Sequence, residues 1–298
     1  MSDTALAPAL QVSQRRPRPG MLRRLARDRL ALTAGLVLLA IVLAALLAPW
    51  IAPHDPYLTT RRRMLPPVWE ARGTWTYLLG TDSLGRCMLS RLLYGTRATL
   101  MVGITATAIG GAIGMLIGFI SAFYRRLDGV LMRINDVLLS IPAILLGLAL
   151  AAVIGSGLQA IIAALVVATV PTVARVTRGA ALVVMAQDFM EAGRSIGLPD
   201  HTLIWRYLAL NCISSVFVYL TLRFAQSILL GAILSFLGLG AQPPAAELGM
   251  MASSGRNELF IAPHIATIPS LAIVVIVLCA NILGDALRDL LDPRLRKL

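Results

Sequence analysis

The stretch that decides the fold is DFMEAGRSIGLPDHTLIWRYLALN, residues 188–211. It is the longest polar, charge-bearing interval between the later apolar blocks, and its pattern predicts two short helices joined by a tight turn. Glu191 and Arg194 stand three apart and can share one face of the first helix, while Phe189, Met190, Ala192 and Ile196 supply an apolar side. Gly197 provides a helix stop, Pro199 prevents continuation, and Asp200 is placed to cap a second helix over Thr202 to Leu210. A rigid helix-turn-helix between two apolar blocks gives a partner something to push against. A solvated connecting loop has the same polarity, and the pattern alone leaves both readings open.

Around this stretch the chain is apolar. Of 298 residues, 57% are hydrophobic and 14% charged, and the mean hydropathy is +0.78. One core cannot hide that much apolar surface, so lipid must surround most of it. The net charge of +12 is almost wholly arginine, with Lys297 the sole lysine. Arginines flank the apolar blocks, which points to membrane topology and anionic headgroups and away from nucleic acid. A P-loop needs a lysine after its glycine loop, so a chain whose sole lysine is its penultimate residue is not a P-loop ATPase. Cys87, Cys212 and Cys279 lack any paired spacing, and neither a disulfide nor a metal site is expected.

The apolar blocks predict an all-α, polytopic membrane protein with about six transmembrane helices and both termini in the cytoplasm. Residues 1–29 form a basic tail, and residues 30–51 are about long enough to cross a hydrocarbon core of roughly 30 Å. Residues 52–97 then make an outer loop with seven arginines, Arg61, Arg62, Arg63, Arg72, Arg86, Arg91 and Arg97. They run against the positive-inside count; Asp55, Glu70 and Asp82 offset part of it, and the N-terminal cluster sets the orientation. Within this loop Cys87 to Leu100 reads as an amphipathic helix on the membrane surface, with Arg86, Arg91 and Arg97 reaching headgroups.

Residues 98–290 then give five helices. The span 98–123 carries Gly110, Gly114 and Gly118 at four-residue intervals, a stripe that lets a neighbour approach closely in lipid. A third span over 134–154 should kink at Pro142, and Asp136 at its start can pair with Arg175 or Arg178 or snorkel to headgroups. Gly155 to Gly157 turns the chain into a fourth span over 158–174, which holds Pro171. The loop 178–212 contains the opening stretch, and the fifth span, 213–239, contains Arg223 and Gln226. An arginine in a span costs about 2.5–3.5 kcal/mol on insertion scales, so it should face a partner or a wet cavity. An outer loop, 240–263, and a sixth span over 265–287 with Asn281 precede the cytoplasmic tail, 291–298.

His54, His201 and His264 are scattered over both sides of the membrane, and no Ser, His and Asp set falls on one side. Asp285, Asp289 and Asp292 are interleaved with Arg288 and Arg294, which suits helix-end ion pairs. Transport is the reading that remains, and the absence of deep carboxylates favours a pathway whose motor is elsewhere. A stand-alone carrier or channel is the competing class, with a membrane enzyme third.

Four segments in order carry a resemblance: Glu191-Ala192-Gly193 followed by Gly197; Leu79-Gly80-Thr81-Asp82 through Gly85-Arg86, Ser90-Arg91 and Tyr94-Gly95; Phe236 to Pro244; and Asn281 through Gly284-Asp285 to Leu291-Asp292-Pro293. In these the chain resembles the inner-membrane permease subunits of ABC importers, and among them the C-type member of the permease pair in the dipeptide, oligopeptide and nickel group. The resemblance runs from about residue 30 to the end of the chain.

It implies a type I importer permease fold whose cytoplasmic coupling helix, with Glu191, Ala192, Gly193, Arg194 and Gly197, docks on a separate ATPase. It also implies an outer contact with a solute-binding protein near Gln242, Pro243, Pro244 and Glu247, while Arg223, Gln226 and Asn281 are candidate polar residues of the pathway. The implied partners are a second, similar permease, two ATP-binding subunits, the periplasmic binding protein and the lipid bilayer of a bacterial inner membrane, with no nucleic acid. This chain is expected to be non-catalytic and to hold no cofactor, ATP and Mg belonging to the ATPase subunits. Peptides are the default solute, with nickel and glutathione as alternatives.

Three departures stand out. Gly193 occupies the place of a second alanine, which should loosen the docking helix. Ala209-Leu210-Asn211 replaces Leu-Pro-Asn, leaving the second helix free to run on into the fifth span. Leu248 stands where a tryptophan often follows the outer glutamate.

Overall fold

The structure is a computed structural model and describes residues 28–291. Asp28 caps the first helix, α1 (Arg29–Leu46), its carboxylate accepting from the Leu30 and Ala31 amides. A one-turn helix, α2 (Ala48–Ile51), starts with Pro49 in its first turn and ends the apolar block. After an irregular loop come α3 (Met88–Phe123), α4 (Arg125–Ser140), α5 (Ala143–Ile154) and α6 (Leu158–Met185). The hinge follows as α7 (Asp188–Ser195) and α8 (Asp200–Thr202), then a π-helical stretch, Leu203–Ala209, that leads without a break into α9 (Leu210–Phe236). A short helix, α10 (Leu248–Ser254), and the long α11 (His264–Leu291) complete the described chain. Among the described residues, five helical segments are long and apolar enough to cross a membrane, six if the bent pair α4 and α5 is counted as one. The fold is all-α and polytopic.

The centre of the bundle is the seam between α3 and α6. A side chain at Gly110 would meet Thr169 Cβ at 2.8 Å, at Gly114 the Val170 carbonyl at 2.7 Å, and at Gly118 Thr177 Cβ at 2.6 Å. The glycine stripe is therefore a contact line along which two helices pack backbone to side chain. A second glycine line, Gly103 and Gly111, lies against Ile228 and Leu220 of α9, so α3 is wedged between two neighbours. The outermost helix, α1, has the least buried apolar window of the five segments.

Three parts of the chain differ from the sequence expectation. Cys87 to Leu100 does not lie on the membrane surface: α3 is one helix of 36 residues, and these are its first turns. The side chains that were to reach headgroups point inward instead, Arg91 at 1% exposure and Arg86 at 6%, and only Arg97 is exposed. The reason is a folded loop above them. Asp82, itself buried, accepts from Arg86 Nε at 2.6 Å and faces Arg91 Nε at 3.5 Å, while Arg91 donates to the carbonyls of Pro56, Pro244 and Ala245.

The third span is not a kinked rod. α4 and α5 meet at 90°, with Ile141 in extended backbone before Pro142, as the proline ring requires of its predecessor. α4 is amphipathic and packs along α3 and α6. Its Asp128 forms a two-pronged pair with Arg178 at 2.5 and 2.6 Å and accepts from Ser121, and its Asn135 donates to the Pro171 carbonyl at 3.0 Å. Asp136 pairs with Arg175, one of the two arginines expected of it.

The fourth span continues past residue 174 to Met185 before the hinge begins. The tail residues 1–27, and Asp292, Arg294 and Lys297 at the other end, lie outside the described residues.

Candidate functional site

The hinge is a helix clamped on one side and bare on the other. In α7, Met190 and Gly193 are buried whereas Glu191, Ala192, Arg194 and Ser195 are exposed. Beyond the helix, Ile196 is 75% exposed, an apolar side chain with no cover among the described residues. Gly197 ends the helix at φ +75°, in the left-handed region that glycine enters without strain. Its amide bonds the Arg194 carbonyl at 3.0 Å, and the Leu198 amide bonds the Gly193 carbonyl at 3.1 Å, the paired bonds of a Schellman closure. Leu198 folds back over Gly193 and fixes the turn.

The clamp is a cluster of Met190, Leu203, Leu208, Val216, Phe119 and Phe123, so α7 is joined to α3, α9 and the π-helical turn by buried apolar contact. Gly193 belongs to this clamp. A side chain there would meet Leu203 Cδ2 at 2.8 Å, so the glycine tightens the docking helix against its neighbour, the reverse of the loosening expected. Arg194 does not pair with Glu191. Its guanidinium lies 5.2 Å above the Phe123 ring, leaving the Glu191 carboxylate free of any ion pair among the described residues. Asp200 is not a cap either: it is the first helical residue after Pro199, and its carboxylate accepts from the Tyr124 hydroxyl at 3.0 Å. That bond holds the Tyr124 phenol above its ordinary pKa.

The remaining candidates fall in two other places. At the opposite end of the bundle, Gln242, Pro243 and Pro244 are exposed, and the peptide between the prolines is cis. Glu247 is separated from them by burial. At 3% exposure its carboxylate caps α10 through the Gly249 and Met250 amides and accepts from Thr99, so it shapes this loop from within. His264 is buried and within 3.2 Å of the Thr81 carbonyl.

Arg223 and Gln226 lie together on α9. Arg223 Nη1 donates to Gln226 Oε1 at 2.7 Å, Nη2 reaches the Ala168 carbonyl at 3.4 Å, and Nε is shielded without a partner among the described residues. A shielded, unpaired donor costs about 1–3 kcal/mol. Asn281, on α11, makes no hydrogen bond among the described residues and is not part of this pair. Sequence reasoning missed Arg91 and Asp82 as the knot that joins the outer loops, although the Gly80-Thr81-Asp82 run was visible. Gly80 and Gly85, both at φ +78°, make its tight turns.

Relatives give this geometry a family. A model described as "binding-protein-dependent transport system inner membrane component" matches residues 114–297, and one described as "N-terminal TM domain of oligopeptide transport permease C" matches residues 20–67. The chain is 42% identical over 277 residues to the glutathione transport system permease protein GsiD of Escherichia coli O6:K15:H31, covering 92% of this chain and 89% of that protein. It is 43% identical over 276 residues to a putative peptide transport system permease protein of Brucella abortus biovar 1, covering 92% and 91%. Among solved structures, an inward-facing form of the MetNI methionine ABC transporter shares the fold with TM-score 0.57 at 22% identity, over 68% of this chain and 97% of that one. The chain belongs to the family of inner membrane components of binding-protein-dependent transport systems, and is a multi-span permease subunit of an ABC importer.

Proposed function

We propose that this chain forms half of a translocation pathway for peptides or peptide-like solutes such as glutathione, and that it is driven through α7 by separate ATPase subunits. The observation that carries the reading is the two-sided hinge. Met190 and Gly193 lock α7 into the bundle, while Glu191, Ala192, Arg194 and Ile196 present an open face. A helix held in this way transmits a push from a docked partner to the bundle, because packed interfaces switch between arrangements and do not deform continuously. On this reading the hinge and both termini are cytoplasmic, ATP and Mg are held by two partner ATPase chains, and this subunit carries no catalysis of its own. A second, similar permease completes the pathway. Gln242, Pro243 and Pro244 meet the external binding protein, with Glu247 holding their loop. The named solutes of the relatives support the peptide-like class over nickel, as does the lack of any metal-binding cluster of His, Cys, Asp and Glu among the described residues.

The test is made on the assembled complex in proteoliposomes. Gly197→Val places a β-branched residue at φ +75° in a position with open space around it, so strain in the turn is its one direct effect. Uptake and receptor-stimulated ATP hydrolysis should both fall about tenfold, a loss near 1.4 kcal/mol, while the complex still purifies intact. Unchanged uptake and stimulation would show that the hinge is not the point of coupling.

A further inference from the structure

We propose that Arg223 and Gln226 form an intramembrane site for the carboxylate of the transported solute. The proposal rests on the importer reading above and names the chemistry recognised within its pathway. Arg223 is the middle residue of α9 (Leu210–Phe236), about 20 Å from either end at the helical rise. No carboxylate among the described residues lies within ion-pair distance of it. A cation at this depth without a counter-ion has to face something other than lipid.

A second observation independently marks the same depth. α5 has 12 residues, about 18 Å, between its outer end and the Ile141–Pro142 break. Ala168, whose carbonyl Arg223 reaches, lies about 15 Å along α6 from the same end of the bundle. The break and the guanidinium are thus nearly level. α5 also packs beside α9, where a side chain at Gly147 would meet Leu234 at 2.7 Å. Ser140, Ile141 and Pro142 are all exposed at the break. Non-helical backbone at membrane depth is tolerated where it lines a water-filled cavity or is buried in protein, not against lipid. The irregular backbone and the unpaired cation therefore lie at a similar depth, and each has to face water or protein and not lipid.

The donor set defines the ligand. Arg223 spends two of its N–H groups on Gln226 Oε1 and the Ala168 carbonyl. Its remaining Nη N–H groups are free to bond, while the Nε–H is shielded and carries an unmet bond within the bundle. Because the Gln226 oxygen is occupied by Arg223, its amide NH2 is the part left to face a solute, and Gln226 is exposed. A guanidinium fork beside an amide NH2 offers donors and positive charge, which matches a planar acceptor-only group such as a carboxylate and repels an ammonium. The solute's amino end must then be held elsewhere in the pathway.

The experiment measures ATP-driven uptake by the reconstituted complex at saturating loaded binding protein. It compares a dipeptide with a free C-terminal carboxylate and the same dipeptide as its C-terminal amide, each rate taken per loaded receptor. The wild type should import the carboxylate form about tenfold faster. Arg223→Gln should erase that preference by slowing the carboxylate form alone, and Arg223→Lys should keep part of it. Gln226→Met, which removes no charge and sits on an exposed position, should reduce the preference about threefold, and it decides the matter if Arg223→Gln does not assemble. Equal rates for the two dipeptides in the wild type would overturn the site, and so would an equal slowing of both in the variants, which would mark Arg223 as a contact with the second permease. If the wild type imports neither dipeptide, the peptide reading fails and the site falls with it.

Discussion

Arg86, Arg91 and Arg97 look alike in the sequence, yet they have different surroundings. Arg97 is exposed, whereas Arg91 holds three backbone carbonyls from two distant loops and faces the buried Asp82. Removing a buried, hydrogen-bonded charge typically costs about 3–5 kcal/mol, while most surface changes stay within about 0.5 kcal/mol. Arg91→Met should therefore lower the yield and thermal stability of the folded chain sharply, by about 3 kcal/mol because Arg86 still neutralises Asp82. Arg97→Met should leave both unchanged, and thermal melting in detergent separates the two cases. Nothing in the spacing of these arginines showed the difference. The partners of Arg91 are carbonyls of Pro56, Pro244 and Ala245, and backbone acceptors leave no mark in a side-chain pattern. Gly197 was legible for the opposite reason: its role is set by its own left-handed backbone between a helix and Pro199. Gly193 was not, because what matters there is Leu203, met only in three dimensions.

At the scale of helices, glycine has two meanings here, and substitutions tell them apart. Gly114 lies where α3 and α6 touch, and any side chain there would press on the Val170 carbonyl at 2.7 Å and on Val173 Cβ at 2.8 Å. Gly179, near the end of α6, has nothing within 4 Å. Gly114→Leu should separate the seam and abolish a folded product. Gly179→Ala should raise stability by up to about 1 kcal/mol through helix propensity alone. Expression of monodisperse protein and its melting temperature report both. The stripe containing Gly114 was readable because lipid leaves helices little but close packing to associate by, so its period appears in the sequence. The second line, Gly103 and Gly111, leaves no such mark, because it holds only two glycines and its partners, Ile228 and Leu220, lie far along the chain. Pro142 marked where the chain bends but not how far. The right angle follows from α4, whose Asp128, Asn135 and Asp136 find partners on α6 and draw it out of line with α5.

Across the molecule, the proposed function makes the hinge and Arg223 the two ends of one mechanical path. The buried side chain by which α7 joins the bundle is Met190, which is 1% exposed and packs with Leu203 and Leu208. Those residues belong to the π-helical turn that continues unbroken into α9, the helix that carries Arg223. On that function a displacement of α7 is carried toward Arg223 along one continuous helix, provided that the joint at Met190 is filled. Met190→Ala empties that joint, and truncations of buried methionine cost about 2–5 kcal/mol locally. The exposed face of α7, with Glu191, Ala192 and Arg194, is untouched by the change. Docking of the ATPase subunits and their hydrolysis should therefore persist while the push is absorbed in the cavity. The expected result in proteoliposomes is a rise of several-fold in ATP consumed per solute imported. Ile228→Ala, an equally buried truncation in the separate cluster against α3, is the comparison, because it weakens the bundle without opening the joint. Its uptake and hydrolysis should fall together, keeping the ratio. If Met190→Ala also keeps the ratio, force does not travel through this contact.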